Sequence, residues 1–203
     1  MTKTLTISAT ALAAVIALAG CSTGASSGGS TTPGMDHSTM GSSSAPATAG
    51  STSEHNAADT MFTQGMIPHH SQAVEMSEMM LRKQGMDAMI TALATKIKAA
   101  QGPEIEKMTG WLKGWNEPMQ MAAGHSMAGM MGDDDLKTLD AAQGTEAAKL
   151  FLTQMIVHHQ GAVEMAKAET ADGRNADAVQ LGKDIVAAQE AEIKEMKELL
   201  AAL

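Results

Sequence analysis

Met66–Met76 reads MIPHHSQAVEM, and Met155–Met165 reads MIVHHQGAVEM. Carried back to Phe62 and Phe151, the two stretches agree at nine of fifteen positions. A second pair, Leu93–Met108 and Leu181–Met196, agrees at eight of sixteen, including Ala-Ala-Gln and Glu-Ile. Two correspondences at almost one offset mean that a single unit occurs twice.

Each unit reads as two helices. Phe62, Met66, His69, Ala73, Met76 and Met80 recur at spacings of four and three, one stripe of an α-helix. Phe151, Met155, His158, Ala162 and Met165 repeat it, while His70 and His159 are turned about 100° around the helix. In the second helix, Leu93, Ile97, Gln101, Glu104, Met108 and Trp111 form a stripe copied as Leu181, Ile185, Gln189, Glu192, Met196 and Leu199. Two polar residues per copy thus fall where core is expected.

Gly85 and Gly173 separate the helices and are natural stops, so each unit is expected to fold as an antiparallel hairpin. Counting outward from these glycines sets His69 level with Gln101 and Glu104, and His158 level with Gln189 and Glu192. Phe62 should meet Met108 nearer the open end. Pro68 should kink the first helix or delay its start, and Gly102-Pro103 should break the second, where copy two carries Glu190-Ala191. The expected fold is all-α: a four-helix bundle built from two hairpins that bury one another's stripes.

The segments flanking this domain read differently. Lys3 followed by the apolar run Ile7–Ala19 is too short to span a membrane stably and reads as a signal peptide over residues 1–20. Leu18-Ala19-Gly20-Cys21 looks like a bacterial lipobox with Cys21 as the lipidated residue, which would hold the protein at the extracytoplasmic face of the cell envelope. Cys21 is the only cysteine, so no intramolecular disulfide or thiolate metal knuckle is available. Residues 21–56, rich in Ser, Gly, Thr and Ala, read as a flexible tether. The duplicated domain is placed at 57–203: repeat one at 57–114, a Met-rich linker at 115–144, repeat two at 145–203.

Composition narrows the function. The net charge is −9 with no basic cluster, which argues against nucleic acid. With two Trp, two Phe and no Tyr, the interior must come from aliphatic residues and 19 methionines. No nucleophile and base pair, phosphate-cradling loop or dinucleotide motif is present, so the protein is not expected to be an enzyme. Thioethers are soft and uncharged and favour Cu(I), while neutral imidazole serves either copper oxidation state; hard-cation sites need more carboxylates. The expected ligands are His69, His70, His158 and His159, with Met66, Met76, Met155 and Met165, and Glu104 and Glu192 beside them. Glu75 and Glu164 fall off the stripe and are weaker candidates.

Two Met/His groups lie outside the long helices: Met35, His37 and Met40 in the tether, and His125, Met127, Met130 and Met131 in the linker. Loops offer methionine no core to fill, which favours metal capture there. Asp133-Asp134-Asp135 should cap a short helix reaching Leu139.

MIPHH/MIVHH with Ala-Val-Glu-Met, and Ala-Gln-x-x-Glu-Ile-x-x-Met in each second helix, resemble the domain of unknown function 305 family over about Asp59 to Leu203. The resemblance implies a ferritin-like bundle and, as in some members, extracytoplasmic copper binding. The acid usual before the first motif is present as Asp59, but copy two has Ala148 there.

Structural uses of the same residues compete with metal binding. His69 and His158 could donate to Glu104 and Glu192 in a buried network that fixes helix register, with the stripe methionines as packing. The chain would then be a non-metal helical interaction module. A ferritin-like metallo-oxidase is the weakest reading, because it requires Glu-x-x-His pairs and the sequence contains none.

Overall fold

The computed structural model describes residues 54–121 and 127–203, within one compact unit, Pro46–Leu203. The signal peptide, Cys21, Met35, His37 and Met40, most of the tether, and His125 lie outside the described residues. Among those described, the fold is all-helical: α1 (Ala57–Arg82), α2 (Ala88–Trp115), α3 (Asp133–Ala141), α4 (Gly144–Asp172) and α5 (Ala176–Ala202). None of these helices is long and apolar enough to cross a membrane.

Helix α1 packs along α2, α4 packs along α5, and α1 packs on α4, as the two expected hairpins require. Asn56 caps α1 in a box with Asp59, accepting from Ala58 and Asp59 while its own backbone N–H donates to the Asp59 carboxylate at 2.6 Å. Asn175 caps α5. Gly85 takes up a positive φ of 67° in the α1–α2 turn, where a side chain would be strained. The short helix is there, but the aspartates form its first turn rather than its cap: Gly132 is the N-cap, Asp135 accepts from the Gly132 backbone N–H at 3.1 Å, and α3 runs to Ala141.

The delayed start expected for α1 and the break expected in α2 are corrected by the structure. Helix α1 starts at Ala57 and runs through Pro68, and α2 continues through Gly102-Pro103. A proline costs roughly 3 kcal/mol in a helix interior. Met66, His69 and His70 beside Pro68, and Gln101 and Met108 around Pro103, are all buried, and tertiary burial on this scale outweighs the local cost.

The interior is divided. One apolar cluster holds Met76, Met80, Leu93, Ile97, Phe151, Met155 and Met196; the other holds Phe62, Met66, Met108, Ala162, Ala166, Leu181 and Ile185. Phe62 and Met108 share the second cluster, as the hairpin register predicted. Between the clusters, each long helix contributes polar side chains: His69 and His70 from α1, Gln101 and Glu104 from α2, His158 and His159 from α4, Gln189 and Glu192 from α5. A polar layer therefore crosses the middle of the domain.

Asp59 and Ala148, which occupy matched places in the repeat, have different work. Asp59 is fully buried and its carboxylate accepts from the backbone N–H groups of Arg174 and Asn175, at 3.1 and 2.9 Å, tying the start of hairpin one to the α4–α5 turn. Ala148 sits in the first apolar cluster.

Candidate metal centre

All four histidines are fully buried, including His70 and His159, which the stripe had turned away from the core. A helix packed on two neighbours buries a wider arc than one stripe, so adjacent residues can both face inward. The imidazoles of His69 and His158 face each other with ring centroids 3.8 Å apart at a tilt of 40°.

The histidine–glutamate pairs also differ from expectation. His70 Nε2 lies 2.7 Å from Glu104 and His159 Nε2 lies 2.8 Å from Glu192, so the second histidine of each pair, not the first, meets the glutamate. His69 instead donates from Nε2 to the Ala128 carbonyl at 3.1 Å. Carbonyl and carboxylate oxygens can only accept from these rings, which places the proton of all three on Nε2. Their Nδ1 atoms are buried without a hydrogen-bond partner. His158 leans on the His69 backbone, but neither of its ring nitrogens makes a hydrogen bond of good geometry.

Burial drives the electrostatics. Desolvation, reinforced by the neighbouring histidines, lowers the pKa of His69 to about 3 and that of His158 to about 2. Burial also lowers the His159 pKa, against the opposing pull of Glu192. For Glu192 burial acts upward, but the His159 hydrogen bond and the Lys96 ammonium hold it below the usual carboxylate value. At neutral pH His69, His158 and His159 are therefore neutral imidazoles with free lone pairs, the form in which histidine ligates metals. Gln101 and Gln189 lie buried in the same layer, with both amide atoms of Gln101 and the carbonyl oxygen of Gln189 unpaired.

Among the described residues, no three His, Cys, Asp or Glu side chains are already arranged to hold one ion. Thioethers are the remaining donors. Met66 and Met155 are fully buried one turn before their histidine pairs, and Met76 is buried one turn and more beyond. Met165 is only partly buried and does not share this position. Glu75 and Glu164 are exposed and take no part in the layer.

The linker proved more important than its composition indicated. Its stretch from Met127 to Met131, which turns at Ala128-Gly129, is strapped across α1 and α4. Gln72 donates to the Met131 carbonyl at 2.9 Å and accepts from the Met131 N–H at 2.7 Å. On α4, a Cβ at Gly161 would overlap the Ala128 carbonyl, and one at Gly129 would come within 2.7 Å of the Val157 carbonyl. Gln72 and Gly161 occupy the same place in the repeat. One copy grips the linker with a side chain and the other lets it pass backbone to backbone. That exchange was visible in the sequence, but nothing in its periodicity tied it to the linker. Met131 packs against the first apolar cluster, and Met127 lines a cleft of about 470 Å³ with Met61, Phe62, Gly65, Met121 and Met165.

Solved structures with this fold include a DUF305 protein from Streptomyces coelicolor described as secreted (34% identity, TM-score 0.68, 71% of this chain and 93% of that one). A DUF305 fragment from Deinococcus radiodurans is similar at 29% identity and TM-score 0.67, over 73% of this chain and 98% of that one. CopM in its Cu(II)-bound form is similar at 36% identity and TM-score 0.61, over 71% and 96%. No curated protein matches the chain. With the duplicated helical hairpins and their histidine layer in place, the profile of the domain of unknown function DUF305 matches residues 59–200, and the chain belongs to that family.

Proposed function

We propose that this protein binds copper outside the cytoplasm, buffering it or conferring resistance, through the buried histidine layer. The observation that carries this reading is the pattern of ring protons. Three imidazoles have Nε2 fixed by a carboxylate or carbonyl while Nδ1 faces the interior unpaired. Ligating histidines are commonly oriented this way, the outer nitrogen donating to a carboxylate or carbonyl while the inner one is left for the metal. Buried nitrogens without partners cost about 1–3 kcal/mol each, and a cation would offset that cost.

The ligands proposed are His69, His70, His158 and His159 with thioethers from Met66 and Met155; Glu104 and Glu192 act by holding the rings. Met76 is close enough in sequence to join them. Soft sulfur beside neutral imidazole selects copper over magnesium or calcium. CopM, of known copper- and silver-bound structures, is consistent with that choice. The linker residues His125, Met127, Met130 and Met131, and the tether residues Met35, His37 and Met40, are proposed to capture ions before they reach the layer. The role is binding, not catalysis.

We further read the four long helices as a ferritin-like four-helix bundle, placed by a signal peptide, lipidated Cys21 and tether at the outer face of a membrane. The division into residues 1–20, 21–56 and 57–203 belongs to this reading.

The test is Cu(I) competition titration of the purified chain against a chromogenic chelator. Replacing all four histidines by Leu is expected to weaken the tightest binding at least tenfold while circular dichroism stays helical. Unchanged affinity would overturn the histidine layer as the site.

A further inference from the structure

We propose a second soft-cation site in the open cleft between the start of α1, the later half of α4 and the two described ends of the linker, formed by Met61, Met121, Met127 and Met165. It rests on the copper reading for the nature of the ion, Cu(I) or Ag(I), but not on the histidine layer.

Three observations carry it. First, four methionines, one from α1, two from the linker and one from α4, line one cavity of about 470 Å³. Two sulfurs converge on its floor: a Cβ at Gly65 would lie 3.4 Å from Met121 Sδ and 3.5 Å from Met165 Sδ. Gly65 stands where the second repeat has Gln154, so the space the sulfurs fill exists in one copy only.

Second, none of these methionines is fully buried, although Met165 also packs against the second apolar cluster. Met66, Met76 and Met155 are fully buried, whereas Met61 is 52% exposed and Met121, Met127 and Met165 are partly so. Packing explains buried thioethers. It does not explain Met61, Met121 and Met127, which join neither apolar cluster, gathered with Met165 around a solvent-open cleft where an arriving ion can reach sulfur directly.

Third, the surroundings suit a cation. Glu164 and Asp172 line the same cleft and are exposed. Carboxylates at the mouth of a low-dielectric cleft raise the local concentration of positive ions. Ala128 also lines the cleft, and its carbonyl is the acceptor for His69. The cleft and the histidine layer therefore meet at one peptide group, and an ion held by the methionines is one short step from the layer.

Methionine footprinting with the full chain tests this site residue by residue. Under mild peroxide, Ag(I) should slow oxidation of Met61 and Met121 at least fivefold, read by peptide mass spectrometry. Met89, 62% exposed on α2 and outside the cleft, should oxidise at the same rate with or without silver. The paired variant Met61→Leu, Met121→Leu should lose one equivalent of bound Ag(I) and keep the rest. Oxidation of Met61 and Met121 unaffected by silver, or full stoichiometry in the paired variant, would overturn the proposal. The four-histidine variant separates the two sites: if it keeps cleft protection, the cleft stands whatever becomes of the layer.

Discussion

His69 and His158 hold the same place in the two repeats, and their imidazoles meet at a 40° tilt, 3.8 Å between centroids, within the polar layer. The duplication thus brings a residue against its own counterpart. On either side the pairs His70–Glu104 and His159–Glu192 repeat one another at 2.7 and 2.8 Å.

The paired glutamates should not be equivalent under mutation. The Glu192 side chain is 7% exposed and that of Glu104 is 25% exposed. Removing Glu192 leaves the His159 N–H buried without an acceptor, whereas water can replace Glu104. Glu192→Ala is expected to cost about 1–3 kcal/mol in chemical denaturation and Glu104→Ala less, with Glu192→Gln recovering part of the loss. Equal costs would contradict the burial difference.

The glycine that lets the linker pass should be intolerant of any side chain. Gly161→Ala forces a methyl against the Ala128 carbonyl and is expected to destabilise the fold by about 1–3 kcal/mol. Gly110→Ala, also inside a helix but facing open space, should stabilise it by about 0.5–1 kcal/mol. Thermal unfolding of the two variants checks both signs.

Much of this was legible in the sequence. Apolar periodicity and the repeat gave the hairpins, the polar interruption and the Phe62–Met108 pairing, because each depends only on helical spacing. The pairing of His70 and His159 with the glutamates was not legible. One residue turns a side chain by about 100°, and counting from a turn glycine is no better than one residue when α1 ends at Arg82 and α2 begins at Ala88. The path of the linker over Gln72 and Gly161 depends on tertiary contacts that no periodic pattern encodes.

Acid should destabilise the metal-free protein through its histidines. His69 and His158 have folded pKa values of about 3 and about 2, below the ordinary 6.5 that they regain on unfolding. The unfolded state then binds protons that the folded state refuses, so stability is full above about pH 6.5 and falls as pH drops from there toward 3. Each such group contributes a limiting slope of about 1.4 kcal/mol per pH unit. Denaturant midpoints between pH 7 and 4 should fall steeply, and the slope should shrink in His69→Leu, His158→Leu.

Glu169 should act with the opposite sense. Burial first, then the neighbouring Asp59 carboxylate and its charge, raise its pKa to about 8, so at neutral pH it holds a proton. The unfolded carboxyl loses its proton near 4.5, so the contribution is greatest below that pH and fades as pH climbs to 8. Glu169→Gln should flatten the alkaline decline and be more stable than the parent chain at pH 8. A variant with the parent's pH dependence would contradict the raised pKa of Glu169.

The coordination sphere of the Cu(I)-loaded chain, measured by X-ray absorption at one equivalent of metal, bears most directly on the buried layer. The account predicts nitrogen and sulfur scatterers together, with the nitrogen contribution lost when His69, His70, His158 and His159 are replaced. A sphere without histidine nitrogen, or one unchanged by those replacements, would contradict it.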